Sequence, residues 1–246
     1  MSNAINYLIS GEEIQTLEII LKAQETIRAE PGAMLYMEDG IIIQNDTGTG
    51  VLSGFKRMVM GDRFFITSFK NGHALNDRKI AFAAAFPGKI LALNLSDFDG
   101  EMCCTKDSFL CASSEISMEI SFTKKVGSGI FGKQGFVLQT LCGEGIAFLN
   151  AGGLLIEKTL QSDEIIQIDL GCLVAMQPSV THELQFLGGF KNSLFGGHGL
   201  NLLKLKGPGK VYLQSIPFSR LSDRIHTSIK VGDKAHELSN TEHRIT

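Results

Sequence analysis

Apolar and polar residues alternate with a period of two along much of the chain. Leu17, Ile19 and Leu21 alternate with Glu18, Ile20 and Lys22. Ile116, Met118, Ile120 and Phe122 alternate with Glu115, Ser117, Glu119 and Ser121. Val180, His182, Leu184 and Phe186 alternate with Thr181, Glu183 and Gln185. A strand sends successive side chains to opposite faces, so each run predicts a strand with a core face and an outer face. Glu38-Asp39-Gly40, Asp99-Gly100, Gly143-Glu144-Gly145 and Gly207-Pro208-Gly209 punctuate these runs and predict tight turns between short antiparallel strands. A helical spacing is convincing only near the end, at Phe218, Leu221 and Ile225, with Ser219 or Ser222 as caps. The pattern predicts an all-β chain, a sandwich or barrel, closed by one short C-terminal helix.

The pattern also repeats. Gly132 to Leu138 (GKQGFVL) aligns without gaps to Gly196 to Leu202 (GGHGLNL), which carries Gly143-Glu144-Gly145 onto Gly207-Pro208-Gly209. Gly61 to Ile66 is a third, weaker copy. Leu21 to Met37 aligns with Leu160 to Met176, matching Glu25 with Glu164, Gly32 with Gly171 and Met37 with Met176. Glu101 to Ala112 supplies the third copy there, with Leu110 and Ala112 set against Leu173 and Ala175. The chain therefore reads as three units, about 1–78, 79–150 and 151–222, in a single domain over 1–225 with pseudo-threefold symmetry. A unit of about 70 residues buries little alone, so the three are expected to share one core. Residues 226–246 are polar and read as a solvated tail.

Composition narrows the classes. The chain has 246 residues, 43% of them hydrophobic and 20% charged, with a net charge of −3, which suits a folded core and excludes disorder. That charge argues against a broad nucleic-acid footprint. No run reaches the ~18 apolar residues of a membrane helix. The N-terminus lacks a basic stretch followed by an apolar one, so a cytoplasmic location is expected. The five cysteines, Cys103, Cys104, Cys111, Cys142 and Cys172, are odd in number and form no CxxC pair, which predicts buried thiols in a reducing compartment.

Four stretches carry a family resemblance: Ala29 to Met37 (AEPGAMLYM), Gly135 to Leu149, Gly207 to Ser215 (GPGKVYLQS) and Pro217 to Ile225 (PFSRLSDRI). Together they resemble the "altered inheritance of mitochondria, number twenty-four" family over about residues 5 to 225. The resemblance implies a fold like that of the tryptophan RNA-binding attenuation protein, and oligomers. The family's mitochondrial branch is associated with inner-membrane organisation, and its bacterial members have no settled function. This chain looks like the bacterial form, and it has Tyr212 where many members carry Trp.

Catalytic chemistry is hard to assemble from these residues. Gly127 to Gln134 nearly spells a phosphate-binding loop, but Gln134 replaces the hydroxyl that would hold Mg²⁺, and Phe136 to Leu141 reads as a strand where a helix is needed. His182 and Glu183 are neighbours on a strand and point to opposite faces. Glu30 and Asp169 are repeat-equivalent, each two residues before a glycine, which suits turn geometry. No triad, metal-ligand spacing or cofactor motif is present, so no enzyme, metal or cofactor is expected. The three Gly-rich loops stand out because each combines apolar and cationic residues. Phe55, Lys56 and Arg57 lie in the first, Phe131 and Lys133 in the second, and Phe190, Lys191, Phe195 and His198 in the third. Exposed together, they would suit a membrane surface or a protein partner; packed, they would make a subunit contact. The expectation is a non-enzymatic, homo-oligomeric β-scaffold or binding protein, a trimer among its forms. Nucleic-acid binding by fold analogy, or a small ligand near the pseudo-threefold axis, are the alternatives.

Overall fold

The computed structural model describes residues 5–46, 66–124, 136–187, 200–222 and 224–225. Strand β1 (Asn6–Ser10) pairs with β2 (Thr16–Leu21), and from β2 onward six strands recur three times. The first set is β2, β3 (Thr26–Ala29), β4 (Met34–Met37), β5 (Ile41–Asp46), β6 (Ile66–Asn71) and β7 (Arg78–Ala83). The second is β8 (Gly88–Asn94), β9 (Glu101–Thr105), β10 (Phe109–Ser113), β11 (Ser117–Lys124), β12 (Phe136–Cys142) and β13 (Ile146–Gly152). The third is β14 (Leu155–Leu160), β15 (Ile165–Asp169), β16 (Leu173–Met176), β17 (Thr181–Leu187), β18 (Leu200–Lys206) and β19 (Gly209–Gln214). In every set the sixth strand pairs with the first and third, and the fifth pairs with the second and fourth, always antiparallel.

Two joints tie the sets together. The second strand of one set pairs with the third strand of the next, as β3 with β10 and β9 with β16. The result is two six-stranded sheets, β5-β6-β3-β10-β13-β8 and β11-β12-β9-β16-β19-β14, flanked by β1-β2-β7-β4 and β15-β18-β17. Among the described residues no barrel closes, contrary to one form of the sequence expectation. The physical reason is that a barrel needs every strand paired on both sides, and the flanking sheets end on β4 and β15 with one side of each unpaired.

The alternation acts as expected where a strand has one buried face. Leu17, Ile19 and Leu21 are fully buried while Glu18, Ile20 and Lys22 are half-buried. In β11 it fails partway, because a bulge shifts the register between Ile120 and Phe122 and leaves Ile120 exposed. Bulges also correct one detail of the repeat. They fall between Met34 and Tyr36, Phe109 and Cys111, and Leu173 and Ala175. Phe109 and Leu173 sit opposite Leu149 and Leu213, so Leu110 corresponds to Val174, one place from the sequence match. The hairpin glycines confirm the equivalence: Gly145 and Gly209 both hold φ near +140° (138° and 143°), which L-residues rarely adopt.

Buried side chains fall into three clusters, and each reaches into a neighbouring set. Leu110, Cys111 and Phe148 of the second set complete the first cluster. Val174, Ala175 and Tyr212 of the third set complete the second, and Phe136 and Leu138 of the second set join the third. Phe148 is fully buried and meets Tyr7 edge-on at 4.9 Å. Burying such a ring contributes roughly 2–3 kcal/mol. The expected C-terminal helix forms over residues 218–222 and 224–225; Phe218, Leu221 and Ile225 stay exposed, and Phe218 stacks on Phe86.

Candidate functional site

The Gly-rich segments lie outside the described residues. This covers Phe55, Lys56 and Arg57, Phe131 and Lys133, and Phe190, Lys191, Phe195 and His198. Their ends are described: the segments connect β5 to β6, β11 to β12 and β17 to β18, the same pair of strands in each set. The loop resembling a phosphate-binding motif also falls outside, and it leads into strand β12, as its sequence predicts.

The remaining polar candidates are engaged locally. Asp169 accepts a hydrogen bond from the Gly171 amide at 2.9 Å, the turn geometry expected of it, and its other oxygen lies 3.4 Å from the Arg220 guanidinium. Glu30 occupies the equivalent place at the joint of β3 with β10, where its amide donates to the Leu110 carbonyl. Burial pushes its carboxyl up to about 7, the charge of Asp107 adds to this, and Lys106 opposes it, although the side chain still reaches solvent. Asp107 is itself raised, mainly by burial. His182 is half-buried on β17, and burial lowers its pKa. The His73 ring lies 2.9 Å from the Arg78 guanidinium. Among the described residues no cluster of His, Cys, Asp or Glu has the geometry to hold a metal.

The five cysteines are free thiols. Cys104 and Cys111 are fully buried in the two joints, opposite Ala175 and Ala29. Burial pushes the Cys104 thiol up to about 12 against a hydrogen bond from Gln139, and raises the Cys111 thiol well above its usual value. Thiols held protonated in this way act as small core groups. Cys103, Cys142 and Cys172 are partly exposed, so the expectation of buried thiols holds for two of the five.

A cavity of about 140 Å³ lies beside the β9–β16 joint. Phe86 and Phe218 stack on one side of it with centroids 5.7 Å apart, and Thr105, Lys106 and Gln214 supply polar lining. Gln214 is committed to structure: its carbonyl oxygen accepts from the Gly152 amide and its amide donates to the Gly171 carbonyl, both at 2.8 Å.

The most distinctive surface is strand β4. Met34, Leu35 and Tyr36 are 37%, 54% and 47% exposed. Their equivalents in the other sets, Phe109, Leu110 and Cys111, and Leu173, Val174 and Ala175, are all at or below 6%. The Tyr36 hydroxyl donates to Glu18, which also pairs with Lys79 at 2.9 Å. These two partners hold the Glu18 carboxyl below its usual range, Lys79 contributing more. The edge strand β15, paired only with β18, differs from its counterparts in the same way. Ile166 and Ile168 are half-buried, whereas Ile27, Ala29, Met102 and Cys104 are fully buried. Reading the sequence for chemistry missed both strands. The one signal available was Tyr36, a bulky ring where the other two sets place Cys111 and Ala175.

No curated protein matches this chain. Among solved structures, protein SPYM3_0169 from Streptococcus pyogenes is similar, with a TM-score of 0.73 at 23% identity over 91% of this chain and 99% of that one. At that identity the likeness concerns the fold. A family model described as "Mitochondrial biogenesis AIM24" matches residues 7–216. The four sequence stretches that suggested the family lie within or beside that span, and the chain belongs to the AIM24 family.

Proposed function

We propose that this protein is a homo-oligomeric, non-enzymatic β-scaffold acting in the cytoplasm, its three repeated sets of strands built in the manner of the tryptophan RNA-binding attenuation protein, with the sets forming an open arc whose two ends are β4 and β15. The observation that carries the reading is the contrast within one strand position: β10 and β16 are buried, and β4 presents Met34, Leu35 and Tyr36 to solvent. Contiguous exposed apolar residues on an unpaired edge mark an interaction surface. In the assembled scaffold the three Gly-rich segments remain the contacts for a membrane surface or a protein partner, in keeping with the family's mitochondrial name.

Light scattering on the full chain at micromolar concentration tests the assembly. The expected mass is a multiple of the 26.8 kDa chain. A strict single-chain mass overturns the proposal.

A further inference from the structure

Resting on that reading, we infer that the assembly is built head to tail by strand addition, with β4 of one copy pairing with β15 of the next. The chain contains this joint twice. The third strand of one set adds to the second strand of the preceding set, β10 to β3 and β16 to β9. Continued once more, the rule asks for a third strand to follow β15 and a second strand to precede β4. Neither is supplied among the described residues: β15 ends the sheet β15-β18-β17, and β4 ends the sheet β1-β2-β7-β4. The two edges left over are the two halves of one further joint.

The existing joints specify the register. Cys111 faces Ala29 and Ala112 faces Arg28 in the first, and Ala175 faces Cys104 and Met176 faces Cys103 in the second. The strand pairings within each set make Ala29, Cys104 and Ile168 equivalent, opposite Thr67, Gln139 and Leu203. The bulges make Tyr36, Cys111 and Ala175 equivalent. The new joint therefore sets Tyr36 against Ile168 and Met37 against Gln167.

The backbone is poised for this pairing. The Glu38 amide donates to the Lys79 carbonyl on β7, so the neighbouring Met37 N–H points out of the sheet by the alternation of an antiparallel ladder. On β15 the Glu164 carbonyl accepts from the Gly207 amide, on the β18 side. Residues 165 and 167 therefore present their polar groups to the open side. Side chains agree with backbone: Ile166 and Ile168 on one edge meet Leu35 and Tyr36 on the other, all more exposed than their counterparts in the filled joints, and the exposed Ile165 extends the apolar edge. The contact uses different surfaces on the two copies, so it extends in one direction and ends only by closing a ring.

Two proline variants test it. Met37→Pro and Gln167→Pro each remove an N–H that faces the open edge, one from each half of the joint. Each alone is expected to run as a single 26.8 kDa chain with wild-type far-UV circular dichroism. Mixed in equal amounts, they are expected to form a two-chain species and nothing larger, because Met37→Pro retains a working β15 and Gln167→Pro a working β4. The surface substitutions Leu35→Lys and Ile165→Lys repeat the mixing test if either proline variant fails to fold. Full assembly by either blocked variant alone, with the wild type oligomeric, overturns the head-to-tail joint and leaves the scaffold reading standing. A folded pair that stays single-chain on mixing also overturns the joint. A single-chain wild type removes both.

Discussion

The two filled joints and the open edges of β4 and β15 use equivalent positions in different ways. At a filled joint Cys111 or Ala175 is a small group buried opposite Ala29 or Cys104. At the open edges the same positions hold Tyr36 and Ile168, larger side chains that reach solvent. Small side chains suit a closely packed sheet interior in which the joint forms as the chain folds. A larger apolar pair suits a surface that is solvated until a partner arrives, because more apolar area leaves water on association. One strand position is buried at a joint in two copies of the repeat and open to solvent in the third, where the proposed assembly gives it a recognition role.

The largest expected effect comes from placing a charge at the two kinds of position. Cys111→Asp puts a carboxylate in a fully buried joint and should cost about 4 kcal/mol or more, read as loss of a cooperative urea transition. Tyr36→Asp should shift the single-chain transition by less than about 1 kcal/mol while reducing oligomeric mass. Equal destabilisation by the two would erase the distinction between filled and open joints.

An intermediate effect is expected at Gln214, which ties the turn before β16 to the end of β13 through its two 2.8 Å hydrogen bonds. Gln214→Leu keeps the volume but leaves the Gly152 amide and the Gly171 carbonyl without these partners. A loss of about 2–3 kcal/mol in chemical denaturation is expected. A neutral result would show that this clamp adds nothing to the joint.

The smallest effect concerns pH at the first joint. The Glu30 carboxyl is raised from 4.5 to about 7 in the folded chain, so the folded state binds its proton more tightly than the unfolded state. Its contribution to stability is complete below pH 4.5 and is lost as pH rises through about 7. Glu30→Gln should flatten that dependence and stabilise the protein at pH 8 by about 1 kcal/mol, a figure reduced for the solvent that reaches the side chain. Parallel stability-versus-pH curves for the two proteins would contradict this assignment.

Much of the architecture is legible in the residues themselves. The alternation at Leu17-Ile19-Leu21 marks β2, the glycine pairs mark the hairpins before β13 and β19, and the match of Leu21 to Met37 with Leu160 to Met176 finds β3–β4 and β15–β16 as equivalent. These are local signals, set by side-chain period, backbone freedom and chain order. The candidate site was not legible in the same way. Met34-Leu35-Tyr36-Met37 and Leu173-Val174-Ala175-Met176 are similar apolar tetrads, and nothing within either states that one is covered and the other is not.

The sequence by itself determined a β chain with a thrice-repeated strand order, because periodicity and turn residues act within a few positions of one another. Only the tertiary structure decided that the sets join as β3–β10 and β9–β16, that the sheets leave a barrel open, and that β4 and β15 keep an unpaired side. Pairing joins strands about 80 residues apart, Ala29 to Cys111 for example. Burial depends on which strand arrives at an edge, and that is a property of the folded arrangement as a whole.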